Sequence, residues 1–192
     1  MSEIKTCSFG GSRSLPAPFA PLVARLVSAW LDADPAARVS VGCAVGADSF
    51  VVQACPPSRL SIFAFFGSDG SGAWSGSAVR SVLSAAAHGA DVSWFAGGSP
   101  AVPFRARLMR RSLAALAEAS CAVFFLASPS SPGSLAVAAA AARAGQPVFV
   151  FCCGFAGSPA PLAGLDGAWS PSSFCGFPCL AWQPAAEQLN LF

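Results

Sequence analysis

Apolar patches recur along this chain, and most stop at a turn before a stretch of helical period begins. Few arrangements let such a chain pair its backbone and bury its apolar faces. The pattern points to α/β: a doubly wound, mainly parallel sheet with helices on both faces. Strands are expected at residues 6–9, 38–41, 60–66, 92–95, 121–126 and 147–152. Between them fall helices at 19–31, 48–54, 77–87 and 104–119, and an alanine-rich one at 133–144. The first carries Leu22, Val23, Leu26, Val27 and Trp30 on one face, with Pro21 near its start, where an N–H is not needed. From Gly154 onward glycine, proline and serine dominate and both periodicities fade. That part reads as an irregular C-terminal tail with a short strand at 180–183. Residues 1–153 then form one domain and 154–192 an extension.

Apolar residues make up 54% of the chain, yet the longest apolar run, around 135–142, falls short of the ~18–20 residues of a membrane-spanning helix. The first residues lack a basic and apolar signal, so the expected setting is cytoplasmic, with no membrane partner. There the eight cysteines are expected as free thiols. Cys152-Cys153 and Cys175-x-x-x-Cys179 have poor spacing for zinc, and no metal site is expected. The single histidine, His88, precedes Gly89 at a helix end and leaves little for His-based catalysis. A net charge of +2 does not announce nucleic-acid binding; the local grouping of arginines says more.

In an open α/β sheet, ligands collect at the carboxyl ends of strands, where helix amino ends present unpaired N–H groups to an anion. Three turns of this chain fall there. They are Gly10-Gly11-Ser12-Arg13, the segment 42–48 with Gly42, Gly46 and Asp48, and Ser131-Pro132-Gly133-Ser134. Glycine lets backbone amides approach a phosphate, and Ser12 and Ser134 add hydroxyl donors. Each turn alone could need its glycine for shape; together they favour a nucleotide or phosphodiester site. The helix at 104–119 adds Arg105, Arg107, Arg110 and Arg111, with Arg107 and Arg111 one helical turn apart. Trp74, in a Gly/Ser-rich loop at 67–76, can stack on a base or anchor its loop on the core.

The order of these blocks, GGSR, GCAVGAD, FRARLMRRS and SPGSLAVAAAAARAGQPVFVF, resembles the SLOG group of Rossmann-like proteins. Within it the likeness is strongest to the DprA/Smf DNA-processing proteins, over about residues 5–151. The resemblance implies that Gly42, Gly46 and Asp48 shape the second turn. It makes Arg107 the main pocket arginine and assigns Gly133 and Ser134 to phosphate. The implied ligand is a nucleotide or single-stranded DNA, and a homodimer is left open. One departure is that Phe104-Arg105-Ala106-Arg107 lacks the Asn of the family's F-x-x-R-N-R and shifts its Arg spacing. The related LOG branch, which hydrolyses nucleoside monophosphates, is the alternative, as is a nucleotide sensor with its tail packed on its own domain. Pro132-Gly133 is shared with LOG, but Ser134-Leu135-Ala136-Val137-Ala138-Ala139 offers no glutamate. No catalytic residue is therefore expected. No cofactor is required, and a bound nucleotide is the one small ligand the pattern admits.

The last five residues, Gln188-Leu189-Asn190-Leu191-Phe192, are similar to bacterial sliding-clamp-binding peptides, which read Gln-Leu-(Ser/Asp/Asn)-Leu-Phe. Gln188 offers an amide to a pocket rim. Leu189, Leu191 and Phe192 offer apolar plugs, each worth roughly 1.5–3 kcal/mol when buried. Ordering the tail offsets much of that, so a weak tether is expected. Body and tail together imply an accessory of DNA replication or repair. Its tail would hold the sliding clamp, the beta subunit of DNA polymerase III, and its body would bind a nucleotide or single-stranded DNA.

Overall fold

The computed structural model describes residues 5–185. Six strands, β1 (Thr6–Gly11), β2 (Arg38–Val41), β3 (Leu60–Phe63), β4 (Asp91–Ser93), β5 (Cys121–Leu126) and β6 (Val148–Cys152), pair in parallel. Helices α1 (Ala20–Ala33), α2 (Ala47–Ala54), α3 (Gly76–Ala87), α4 (Phe104–Ala117) and α5 (Pro132–Arg143) run between them. The sheet order begins β4-β3-β2-β1-β5-β6. This is the Rossmann-like, doubly wound α/β class that the alternation implies.

Strand β5 shows why both faces must be covered. All six of its residues are buried. Val123 and Phe125 enter the core on one face, while Ala122, Phe124 and Leu126 enter the core on the other. Helices α1, α2 and α3 close the first face. Helix α1 does so through Val23, Leu26, Val27 and Leu31, the spacing of one helical stripe. Helix α5 and the end of α4 close the second.

Strands β3 and β4 are shorter than the apolar runs that announced them. Beyond Phe63 and Ser93 the pairing leaves the regular ladder: the Phe95 N–H donates to the Phe66 carbonyl and the Ala96 N–H to the Ala64 carbonyl. The φ of Phe95, +52°, breaks the strand there.

The largest correction lies beyond Gly154, where the chain is not coil throughout. Strands β7 (Gly167–Phe174) and β8 (Phe177–Pro184) form an antiparallel hairpin, and β8 pairs antiparallel with β6. The strand expected at 180–183 is part of β8. Cys175 and Gly176 make its two-residue turn, with φ of +50° and +81°, the sign pattern of a type I′ turn. Strand β7 is an edge that tolerates Pro171 and stays mostly exposed, so its residues carry no apolar alternation. Aromatic contacts hold the hairpin down, with Phe174 packed on Phe9, Trp30 and Phe149, while Trp169 packs on Trp182 across the hairpin itself.

The cysteines are free thiols. Among the described residues no three His, Cys, Asp or Glu side chains gather where they could hold a metal ion. Nor is any helix there long and apolar enough to cross a membrane.

Candidate functional site

The winding of the sheet reverses between β1 and β5, which opens a crevice beyond their carboxyl ends. A cleft of about 900 Å³ occupies it. Gly10 and Gly11 at the end of β1, Ser12 and Arg13 after it, Gly42 and Asp48 after β2, and Gly133 and Ser134 at the start of α5 all line this cleft, as does Arg105 of α4. The three turns do converge. Ser12 stitches them together: its N–H donates to the Phe125 carbonyl at 2.8 Å, and its hydroxyl accepts from the Ala127 N–H at 2.9 Å. The same hydroxyl lies 2.9 Å from that of Ser131, which donates to the Ser128 carbonyl. Ser12, expected to serve a phosphate, is thus committed to holding turns together. Ser128 is a member of this relay that sequence reasoning did not single out; a serine-rich turn after a buried strand was its signal.

Gly46 does not line the cleft. Its φ is +78°, and a Cβ there would lie 2.4 Å from the Arg13 carbonyl oxygen and 2.5 Å from that of Ser12. The next residue, Ala47, donates its N–H to the Ser12 carbonyl. The first turn therefore closes the amino end of α2, which offers no seat for an anion. Helix α5 differs. Pro132 brings no N–H to its first turn, Gly133 and Ser134 line the cleft, and a Cβ on Gly133 would meet nothing within 4 Å, so the start of α5 leaves room there.

Below these turns, Arg111 of α4 donates to the Asp48 carboxylate at 2.9 Å, with the two side chains only 9% and 6% exposed. The same carboxylate oxygen accepts the Ala44 N–H at 3.0 Å, which ties the ion pair to the backbone of the second turn. Gly42 makes room for it: a Cβ there would sit 1.0 Å from the Arg111 guanidinium. Burial by itself would lower the Arg111 pKa, but its neighbours, the Asp48 carboxylate first among them, together hold the value above the ordinary one. The Nε of Arg111 has no partner, and the side chain lines the cleft. Asp48 is the only carboxylate among the described residues that line the cleft, and its charge is balanced. The positive charge left over belongs to Arg13 and Arg105, both exposed. Burial pushes the Cys43 thiol up to about 11, so no thiolate stands behind this turn at neutral pH.

Arg107 needs a correction. It does not line the main cleft, which Arg105 and Arg111 of the same helix line instead. Arg107 donates to the carbonyls of Phe65 at 3.2 Å and Gly72 at 3.1 Å, and its guanidinium lies 5.7 Å and 5.8 Å from the ring centroids of Phe65 and Phe104. It fastens the loop at 67–76 to α4 and borders a smaller pocket of about 520 Å³. Arg110 is exposed on the outer side of the helix. Trp74, for which two roles stood open, is not folded under its loop. It is 70% exposed, edge-on to Phe104, with the Arg13 guanidinium 5.6 Å from its ring centroid.

No family model matches the chain, and no curated protein matches it in sequence. Among solved structures it is similar to DNA processing protein A from Helicobacter pylori, described for its single-stranded DNA binding mode. The TM-score is 0.58 at 16% identity, over 77% of this chain and 65% of that one. What the two share is the fold. The chain spans a little less than two thirds of the length of that protein. Gln188, Leu189, Leu191 and Phe192, the residues of the clamp-binding resemblance, lie outside the described residues.

Proposed function

We propose that this chain is a cytoplasmic DNA-metabolism accessory, a DprA-like member of the SLOG group, whose cleft binds a nucleotide or single-stranded DNA. One observation carries the reading: the first turn of α5 lines the same cleft as the exposed Arg13 and Arg105. Phosphate oxygens would accept from the Gly133 and Ser134 amides, while the two exposed arginines supply charge. Asp48 is held by Arg111, so the cleft offers donors and positive charge and no free acid or base. That favours binding over bond cleavage. The likeness of fold to a protein described for single-stranded DNA binding supports the same reading.

Replacing Gly133 by Asp separates binding from folding. The site has room for the side chain, and a carboxylate in the first helical turn favours the helix by about 0.3–1 kcal/mol. Thermal stability should therefore hold or rise, while affinity for a single-stranded oligonucleotide in fluorescence anisotropy falls at least tenfold. Binding should also weaken with salt, and Arg105→Ala should flatten the slope of log K against log salt by about 0.7, the share of one single-strand phosphate. No oligonucleotide or nucleotide binding at low salt would remove the reading.

For residues 188–192 we propose the sliding clamp as partner, on the strength of their resemblance to clamp-binding peptides. The chain lacking Gln188–Phe192 should lose retention on immobilised clamp that the full chain shows. Equal retention of both would leave the cleft without a replication link.

A further inference from the structure

We propose that Trp74 is a nucleobase platform, and that the smaller pocket beside it receives one unstacked base of the strand whose phosphates occupy the main cleft. This deepens the binding reading above and rests on it. Trp74 is the most exposed of the large apolar side chains among the described residues, at 70%. A tryptophan whose only task was to anchor its loop would bury that ring.

The exposure is built into a fixed loop. The Gly67 N–H donates to the Ser71 carbonyl and the Gly70 N–H to the Gly67 carbonyl. Arg107 clasps the Gly72 carbonyl from α4, and Ser75 caps α3 directly after the tryptophan. Phe104 then meets the Trp74 ring edge-on, with centroids 5.3 Å apart and planes at 74°. Loop and ring are held from both sides while the indole stays in solvent.

The surroundings select the occupant. Arg13, Trp74, Arg105 and Leu108 border both the smaller pocket and the main cleft, so the two spaces form one path. An apolar ring flanked by two exposed arginines on a path leading to a phosphate seat fits a base attached to a polyanion. Arg13 lies over the ring and also lines the cleft, so one side chain touches both base and phosphate positions. Bases paired in a duplex are stacked on their neighbours and cannot enter, which makes the ligand single-stranded. Arg107 acts here as a positioning residue, through the loop.

The test compares oligothymidine with an abasic deoxyribose-phosphate oligomer of equal length, by anisotropy, on the full chain. The wild-type protein should bind oligothymidine roughly tenfold more tightly than the abasic strand. Trp74→Ala should remove that difference, while Trp74→Phe should retain most of it. The ring is exposed, so the variants should melt like the wild type. A wild-type protein that binds both strands equally, or a Trp74→Ala variant that keeps the difference, overturns the platform and leaves the phosphate cleft standing. Binding of neither strand at low salt overturns both.

Discussion

Arg111→Met is expected to destabilise the protein by about 3–5 kcal/mol in urea denaturation. The side chain is apolar enough and long enough to fill most of the space, so little of the loss comes from a void. The loss comes from Asp48. With its side chain 6% exposed, it would keep the Ala44 N–H as a donor but have no opposite charge beside it. A carboxylate in that position must either stay ionised without a partner or take up a proton. Adding Asp48→Leu to Arg111→Met should restore part of the stability, because the second change removes the stranded charge. A single variant that unfolds within about 1 kcal/mol of the wild type would show that the pair is not what holds the second turn to α4.

Gly46→Ala is expected to be almost as severe, for a different reason. Its backbone, at φ +78° and ψ −127°, is one that alanine adopts only under strain, by about 1–3 kcal/mol. The methyl group would also press on two backbone carbonyl oxygens, which cannot rotate out of the way as a side chain can. Overpacking of that kind adds roughly 1–3 kcal/mol. Gly89 is the control: its φ is +97°, but a Cβ there meets nothing within 4 Å. Gly89→Ala therefore reports backbone strain alone. If Gly46→Ala loses no more stability than Gly89→Ala, the first and second turns are not in the close contact described above.

Much of the fold was legible because apolar patches alternate with helix stripes along the chain, and β5 and β6 are continuous apolar runs. Strand β5 is the clearest case: with both faces covered, every one of its residues must be apolar. The hairpin of β7 and β8 was hidden for the opposite reason. Its outer strand borders nothing and can be built from Gly, Ser and Pro, residues that elsewhere signal coil. At the site, the three turns could be found because an anion seat needs particular backbone shapes, and glycine records them. The division of labour between Arg107 and Arg111 could not. Both lie on the buried side of α4, one turn apart, and which of them meets Asp48 depends on how far the helix slides along the sheet. The closure of α2 by Ser12 was equally hidden, since only the approach of two distant turns creates it.

The place of β5 has a bearing on how such a site could be trusted to keep its shape. The strand is a party wall: its odd and even residues lean into separate cores, so neither layer can loosen without disturbing the other. The turn that leads to Gly133 and Ser134 starts where that wall ends. A ligand gripped there would rest on a strand buried along its whole length, and holding it would brace both layers at once.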